Sequence, residues 1–268
     1  MKKRGLDMIE AVILDWAGTT VDYGSFSPIY AFEKTFQTYG ITPTIEEIRE
    51  PMGMLKIDHI RTMLKMERLT ALWREKYKCK PTETDVLKLY KVFQDEVFQV
   101  LEEYSTLKPQ VVETVQILRE RKIKIGSTTG YTNAMMEIVT KKAADQGYKV
   151  DYWVTPDMTN AKGRPYPYMI FRNLEYMGIS SVRNVVKIGD TVSDIAEGKN
   201  AGVTTIGVID GSSIMGMKQA DFESLLENEK KQKRQAVQKV YQAAGADYTI
   251  ENFGQLPELL SRIEKGNA

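Results

Sequence analysis

The sequence is short of several things, and each shortage excludes something. Among 268 residues there is a single cysteine, Cys79. One cysteine rules out an internal disulfide and any cysteine-built metal cluster, and it fits a reducing compartment, so a cytoplasmic location is expected. Neither sign of charge dominates: 37 Lys and Arg face 36 Asp and Glu, leaving a formal net charge of +1. No broad field therefore points to nucleic acid or to an anionic membrane, although a locally positive pocket could still take a small anion. No apolar run approaches the roughly 18 residues of a membrane span. The opening "MKKRGLDMIEAVILDWAG" is basic and then apolar, but Asp7, Glu10 and Asp15 interrupt it, so a signal peptide is not expected. No internal repeat is visible.

What is present suits one large domain or a domain carrying an insertion. Short runs rich in β-branched residues recur: "IEAVIL" (9–14), "KIKIGST" (122–128), "DYWVT" (151–155), "NVVKIG" (184–189), "TTIGVI" (204–209) and "ADYTI" (246–250). They read as buried parallel strands. Helical patterns lie between most of them, "NAMMEIVTKKAADQG", "PYMIFRNLEYMG" and "DIAEGKNAG" each closing on glycine, and "FGQLPELLSRIEK" ends the chain. This alternation predicts an α/β fold with a doubly wound parallel sheet, whose ligands sit beyond the carboxyl ends of the strands. Residues 26–103 break the pattern and read as helical almost throughout, including one stretch, "KIDHIRTMLKMERLTALWREKYK". The expected organisation is a core of 1–25 and 104–268 with an inserted all-α cap of 26–103. Segment 217–243 is highly charged and reads as a solvated helix.

Four polar groups stand where predicted strands stop. Asp15 ends the first, in "DWAGTT". "STTGYT" (127–132) ends the second, and a helix starting after Thr132 would aim free N–H groups at an anion. The Thr129 hydroxyl and the Gly130 amide are the natural phosphate contacts, with Thr128 the alternative if the strand register slips. "GRPYP" (163–167) presents Arg164, whose forked guanidinium suits phosphate oxygens. "GDTVSD" (189–194) places Asp190 after a strand and Asp194 one helical turn on. Carboxylates converging on one sheet edge repel unless a cation sits among them. Mg²⁺ takes one or two carboxylates, phosphate oxygen and waters. Asp15, Asp190 and the Ala17 carbonyl are its expected ligands, with Asp194 acting through a water or from behind them. Each feature alone has a plainer reading as a cap, a turn or a surface arginine. Their order, and their common position at strand ends, point to a site.

The order Asp-x-x-Gly-Thr-Thr, Ser/Thr-Gly, Arg-Pro-x-Pro, Gly-Asp-x-x-x-Asp resembles the haloacid dehalogenase superfamily along the whole chain. That resemblance implies Asp15 as nucleophile, a phosphoaspartyl intermediate, one Mg²⁺ per subunit and a cap that closes over substrate. Phosphatases of the superfamily carry a second Asp two places after the first, as general acid and base, a contribution of typically ~10²–10⁴-fold. Here that place is Ala17. A carbon leaving group would explain the substitution. Breaking P–C expels a carbanion, which a lysine imine on the neighbouring aldehyde can absorb as an enamine. "EPMGMLKIDHIR" (50–61) offers Lys56, with His59 on the same face if a helix begins there. An ordinary phosphomonoesterase or a non-catalytic binding module are the alternatives.

"DWAGTTVDYG", "PMGMLKIDH", "KIGSTTGYT", "GRPYP" and "KIGDTVSD" together resemble the branch of that superfamily that splits phosphorus–carbon bonds. The closer resemblance implies that Asp15 attacks phosphorus and that Lys56 forms the imine. It implies that Thr129, Gly130 and Arg164 hold the phosphoryl group, that Asp190 helps hold Mg²⁺, and that His59, Met52 and Tyr131 lie near the aldehyde. It further implies a small phosphonate aldehyde as substrate, homodimers joined through the caps, and a place in 2-aminoethylphosphonate breakdown after a transaminase.

Overall fold

Six of the apolar runs form strands, and they form one sheet. The computed structural model describes residues 8–266, so Asp7 and the rest of the basic opening lie outside the described residues. The strands are β1 (Ala11–Leu14), β2 (Lys124–Thr128), β3 (Tyr152–Val154), β4 (Val185–Gly189), β5 (Thr204–Val208) and β6 (Tyr248–Ile250). All pair in parallel in the order β3-β2-β1-β4-β5-β6. Every residue of β1 and β4 is buried, as expected for central strands covered on both faces. The period of two is visible in β1. Val12 and Leu14 join one core with α6 (Val111–Glu120), α7 (Asn133–Asp145) and α12 (Leu256–Glu264), whereas Ala11 and Ile13 join another with α8 (Tyr168–Met177) and α9 (Val192–Ala201). The strand order reverses at β1, between β2 and β4. The crevice at their carboxyl ends is where such sheets bind ligands.

Between β1 and β2 the chain is helical: α1 (Phe26–Thr38), α2 (Ile45–Arg49), α3 (Lys56–Lys65), α4 (Glu67–Tyr77) and α5 (Glu83–Val100). α1 and α3 both pack on α5 around Phe32 and Phe93, whose rings stack 4.3 Å apart. The stretch expected to run unbroken from Lys56 to Lys78 breaks at Met66, which is extended at φ −62° and ψ 137°. The break lets Met63 and Leu64 on one side, and Leu69 and Trp73 on the other, all reach the cap interior. Leu64 loses an intrahelical partner there, and the Thr70 hydroxyl caps its carbonyl at 2.6 Å.

The charged segment also differs from expectation. It forms two helices, α10 (Gln219–Glu223) and α11 (Glu227–Ala243), and α11 is not wholly solvated. Val237 and Tyr241 are buried, and the Tyr241 hydroxyl lies 2.8 Å from the Asp190 carbonyl oxygen. The charged helix thus has one foot under the candidate site.

Candidate active site

Asp15 leaves the end of β1, and its amide still bonds to Ile188 of β4, so the carboxylate is set by the sheet itself. Its Oδ1 accepts from Arg164 Nη2 at 2.6 Å and its Oδ2 from the Thr19 hydroxyl at 3.2 Å. The turn that follows needs Gly18: φ is +84°, and a Cβ there would stand 2.1 Å from Asp190 Oδ2. Glycine is what lets the two acidic loops touch.

One oxygen from each of Asp15, Asp190 and Asp194 lies within 4.8 Å of the other two, and all three residues are buried. Burial, with Asp15 and Asp194 beside it, pushes the Asp190 carboxyl up to about 8. A cluster of desolvated like charges of this kind fits a divalent cation. Asp190 is also held in place, Oδ2 accepting from the Ser213 amide at 2.7 Å. Asp194 is already engaged. Burial would raise its carboxyl, but Arg164 and Lys187 outweigh that and hold it low, at 2.9 and 2.8 Å. It caps α9 as well, through Thr191.

A single cavity collects most of the expected residues. Asp15, Ala17, Met52, Lys56, Thr129, Gly130, Tyr131, Arg164 and Asp190 line it. Its volume of about 30 Å³, where one water takes roughly 10–15 Å³, leaves little unfilled space. Two expected residues are not in its wall. Asp194 stands behind Arg164. His59 stands behind Phe32, its ring stacked at 3.8 Å and its Nε2 2.9 Å from the Ile48 carbonyl oxygen. A carbonyl only accepts, so Nε2 carries the proton and Nδ1 is the basic nitrogen; Nδ1 is buried with no partner among the described residues. Burial and the neighbouring Lys56 push the imidazole well below its ordinary value.

Lys56 begins α3 and is buried. Its ammonium lies 5.9 Å from the Phe32 ring centroid and 5.4 Å from that of Tyr131, and no carboxylate among the described residues pairs with it. Burial pushes the amine down to about 8, against the pull of Asp15. The two effects can be weighed. The net downward shift, burial against the neighbouring carboxylates, is worth on the order of 3 kcal/mol at about 1.36 kcal/mol per pH unit, whereas an aromatic face returns roughly 0.5–2 kcal/mol to the cation. The neutral amine gains. At pH 7 about one lysine in ten is then neutral, against roughly one in a few thousand for a free side chain.

Several contacts join the helical insertion to the sheet domain. The Ser27 and Tyr131 hydroxyls lie 2.8 Å apart. Arg49 Nη1 donates to the carbonyls of Gly24 and Ser213, at 3.1 and 2.6 Å. In the turn before Lys56, Gly53 has φ +84°, and a Cβ there would lie 2.4 Å from the Thr191 hydroxyl. Sequence reasoning missed several of these neighbours. Ser25, Pro28, Gly53 and Thr191 complete the cavity wall. Lys108, buried, bonds the carbonyls of Gly18 and Asp210. Lys187 and Glu197 sit behind Arg164. One signal was available: a lysine inside "NVVKIG" is anomalous for a strand buried on both faces.

The profile of the haloacid dehalogenase-like hydrolases matches residues 9–202. A phosphonoacetaldehyde hydrolase of Lysinibacillus sphaericus is 50% identical over 257 residues, covering 96% of each chain. A bifunctional phosphonoacetaldehyde hydrolase/aminoethylphosphonate transaminase of Clostridioides difficile is 48% identical over 264 residues, which are 98% of this chain and 41% of that one. The crystal structure of a phosphonoacetaldehyde hydrolase-like protein from Oleispira antarctica superposes with a TM-score of 0.94 at 34% identity, covering 97% of this chain and 94% of the other.

Proposed function

The chain belongs to the haloacid dehalogenase-like hydrolases, and from that premise we propose that it cleaves the phosphorus–carbon bond of phosphonoacetaldehyde, giving acetaldehyde and phosphate. The observation that carries this reading is the pairing of Ala17 with Lys56 in one cavity. The position that would protonate an oxygen leaving group has no acid, and a desolvated amine faces the same space.

Lys56 adds to the aldehyde and loses water to give an iminium. Asp15 attacks phosphorus, forming the aspartyl phosphate. The P–C bond breaks, and its electron pair runs into the iminium to leave a neutral enamine on Lys56. Protonation at carbon and hydrolysis of the imine release acetaldehyde. Water cleaves the aspartyl phosphate and returns the Asp15 carboxylate. Thr129, Gly130 and Arg164 hold the phosphoryl oxygens, and Met52 and Tyr131 border the aldehyde. His59 Nδ1, one layer back, serves the proton transfers of imine formation. Asp15, Asp190 and the Ala17 carbonyl would hold Mg²⁺, with Asp194 behind them. A divalent ion held there would supply charge compensation for the phosphoryl oxygens and the nucleophile. The same reading divides the chain into a core of 1–25 and 104–268 and a cap of 26–103. It carries a homodimer joined through the caps, a cytoplasmic location and a role in 2-aminoethylphosphonate breakdown after the transaminase.

Borohydride tests it. With phosphonoacetaldehyde or acetaldehyde present, reduction is expected to fix a two-carbon adduct on Lys56, found by peptide mass spectrometry. Without the reductant, acetaldehyde and phosphate appear in equal amounts. Brisk hydrolysis of sugar phosphates with no adduct on Lys56 would favour an ordinary phosphomonoesterase.

A further inference from the structure

Nothing in that chemistry uses Lys187 or Glu197, yet both are fully buried; Glu197 bonds Arg164 directly, and Lys187 reaches it through Glu197 and Asp194. Lys187 stands in the middle of β4, and Glu197 faces it from α9. Gly198 makes the approach possible, since a Cβ there would lie 3.1 Å from that of Lys187. Three donors converge on Glu197 Oε2: Arg164 Nε at 3.1 Å, the Thr128 hydroxyl at 2.9 Å and Lys187 Nζ at 3.3 Å. Lys187 Nζ also reaches Asp194 Oδ1 and the Thr128 hydroxyl, each at 2.8 Å. Arg164 Nη2 is committed to Asp15 and to the Thr128 carbonyl, at 2.6 and 2.8 Å. That leaves Nη1 as the one Arg164 nitrogen without a partner among the described residues.

Two cations, Arg164 and Lys187, meet two anions, Asp194 and Glu197. The quartet is neutral, so the charge on Asp15 is not consumed in balancing it. Arg164 and Asp194 alone would also balance. The extra pair therefore serves something other than neutrality. Stability is a poor reason, because replacing a buried ion pair by apolar side chains of similar size is often neutral or stabilising. What the pair adds is a grip on Nε. A planar guanidinium held at Nε and at Nη2 cannot rotate about its own axis, and its third nitrogen has a fixed direction.

We propose that Lys187 and Glu197 are positioning residues for phosphoryl transfer, locking the Arg164 plane so that Nη2 steadies Asp15 while Nη1 is presented to a phosphoryl oxygen in the cavity. This rests on the reading of Asp15 as nucleophile and Arg164 as phosphoryl ligand. Glu197 lies outside every motif quoted for the site, and Lys187 only opens "KIGDTVSD", with no role given to it there.

The decisive variant is Lys187→Met with Glu197→Met, which removes both charges and keeps the bulk. It is expected to fold and to melt no lower than the parent. Its kcat should fall by about 10²-fold, the scale of a catalytic group displaced by about 1 Å. Inhibition by inorganic phosphate should weaken in parallel, while the borohydride adduct of acetaldehyde on Lys56 forms as before. In an Arg164→Lys background the same pair of changes should cost less than about threefold, because coupled residues are not additive. A purely structural role would lower the melting temperature and leave kcat and phosphate inhibition within about threefold of the parent, and that result overturns the proposal. If the double variant does not fold, Glu197→Gln decides by the same two quantities, since it keeps the volume and one acceptor oxygen. Loss of both supports the proposal, and parental values overturn it. Undiminished turnover by Asp15→Asn would instead remove the underlying reading, whatever the double variant does.

Discussion

The two walls of the cavity treat charge in opposite ways. On the core wall the cation is met by acids. Arg164 touches Asp15, Asp194 and Glu197, and although burial alone would lower its guanidinium, those acids push it up and keep it charged. On the cap wall Lys56 meets two aromatic faces and no carboxylate among the described residues, and its amine is pushed down. One wall is built to hold ions and the other to shed a proton. Phosphoryl transfer needs the first condition and imine formation needs the second. A single uniform pocket would give one at the expense of the other.

The comparison breaks most completely if either wall loses its reacting atom. Asp15→Ala should take phosphate release to background with the fold intact by circular dichroism. Lys56→Arg keeps a cation on the cap wall and cannot form an imine, so P–C cleavage and the borohydride adduct should both vanish; measurable acetaldehyde from that variant would contradict the division of roles. A smaller effect sharpens it. The rate of borohydride trapping with acetaldehyde should climb with pH and level off near 8. Phe32→Ala admits water to Lys56 and should move that limb upward by about one pH unit. The same burial predicts a stability cost. The Lys56 amine sits at about 8 when folded and near 10.5 when unfolded, so between those values the unfolded chain binds the extra proton and stability rises with pH. Below about 8 the cost is present in full. Lys56→Met should therefore melt higher than the parent at pH 7, by on the order of 2 kcal/mol, with the advantage shrinking toward pH 10. The mildest change is Gly53→Ala, which strains a positive φ and presses on Thr191. It should raise KM several-fold while borohydride trapping persists, as about 1 kcal/mol of misfit at the seam would do.

Much of this was legible because its causes are local. Buried parallel strands read as β-branched runs, and all six appear within a few residues of where they were expected. Asp15, Thr129 and Asp190 were legible as residues that follow strands, because the sheet fixes where strand ends meet; Arg164 stands ten residues past β3, beyond a 3-10 turn, and was legible only from its Pro-flanked motif. What escaped depends on partners far apart in the chain. The break at Met66 follows from burying side chains on both sides of a turn, which periodicity alone does not register. His59 behind Phe32, and Glu197 behind Arg164, are juxtapositions that no spacing encodes, the second pair lying 33 residues apart in the chain. Tyr241 shows the same limit: a helix that is polar almost all round sends one ring to the back of Asp190.

The 2.8 Å approach of the Ser27 and Tyr131 hydroxyls joins the first turn of the cap to the loop that carries Thr129 and Gly130. Tyr131 also supplies one of the rings over Lys56. The same tyrosine therefore belongs at once to the seam, to the loop proposed as the phosphate cradle and to the amine's shelter. A bystander metabolite that carries phosphate without a carbonyl could fill the cradle and still find nothing on the opposite lobe to engage. On the mechanism proposed above, selectivity would reside in simultaneous occupancy of both lobes, more than in how tightly either grips.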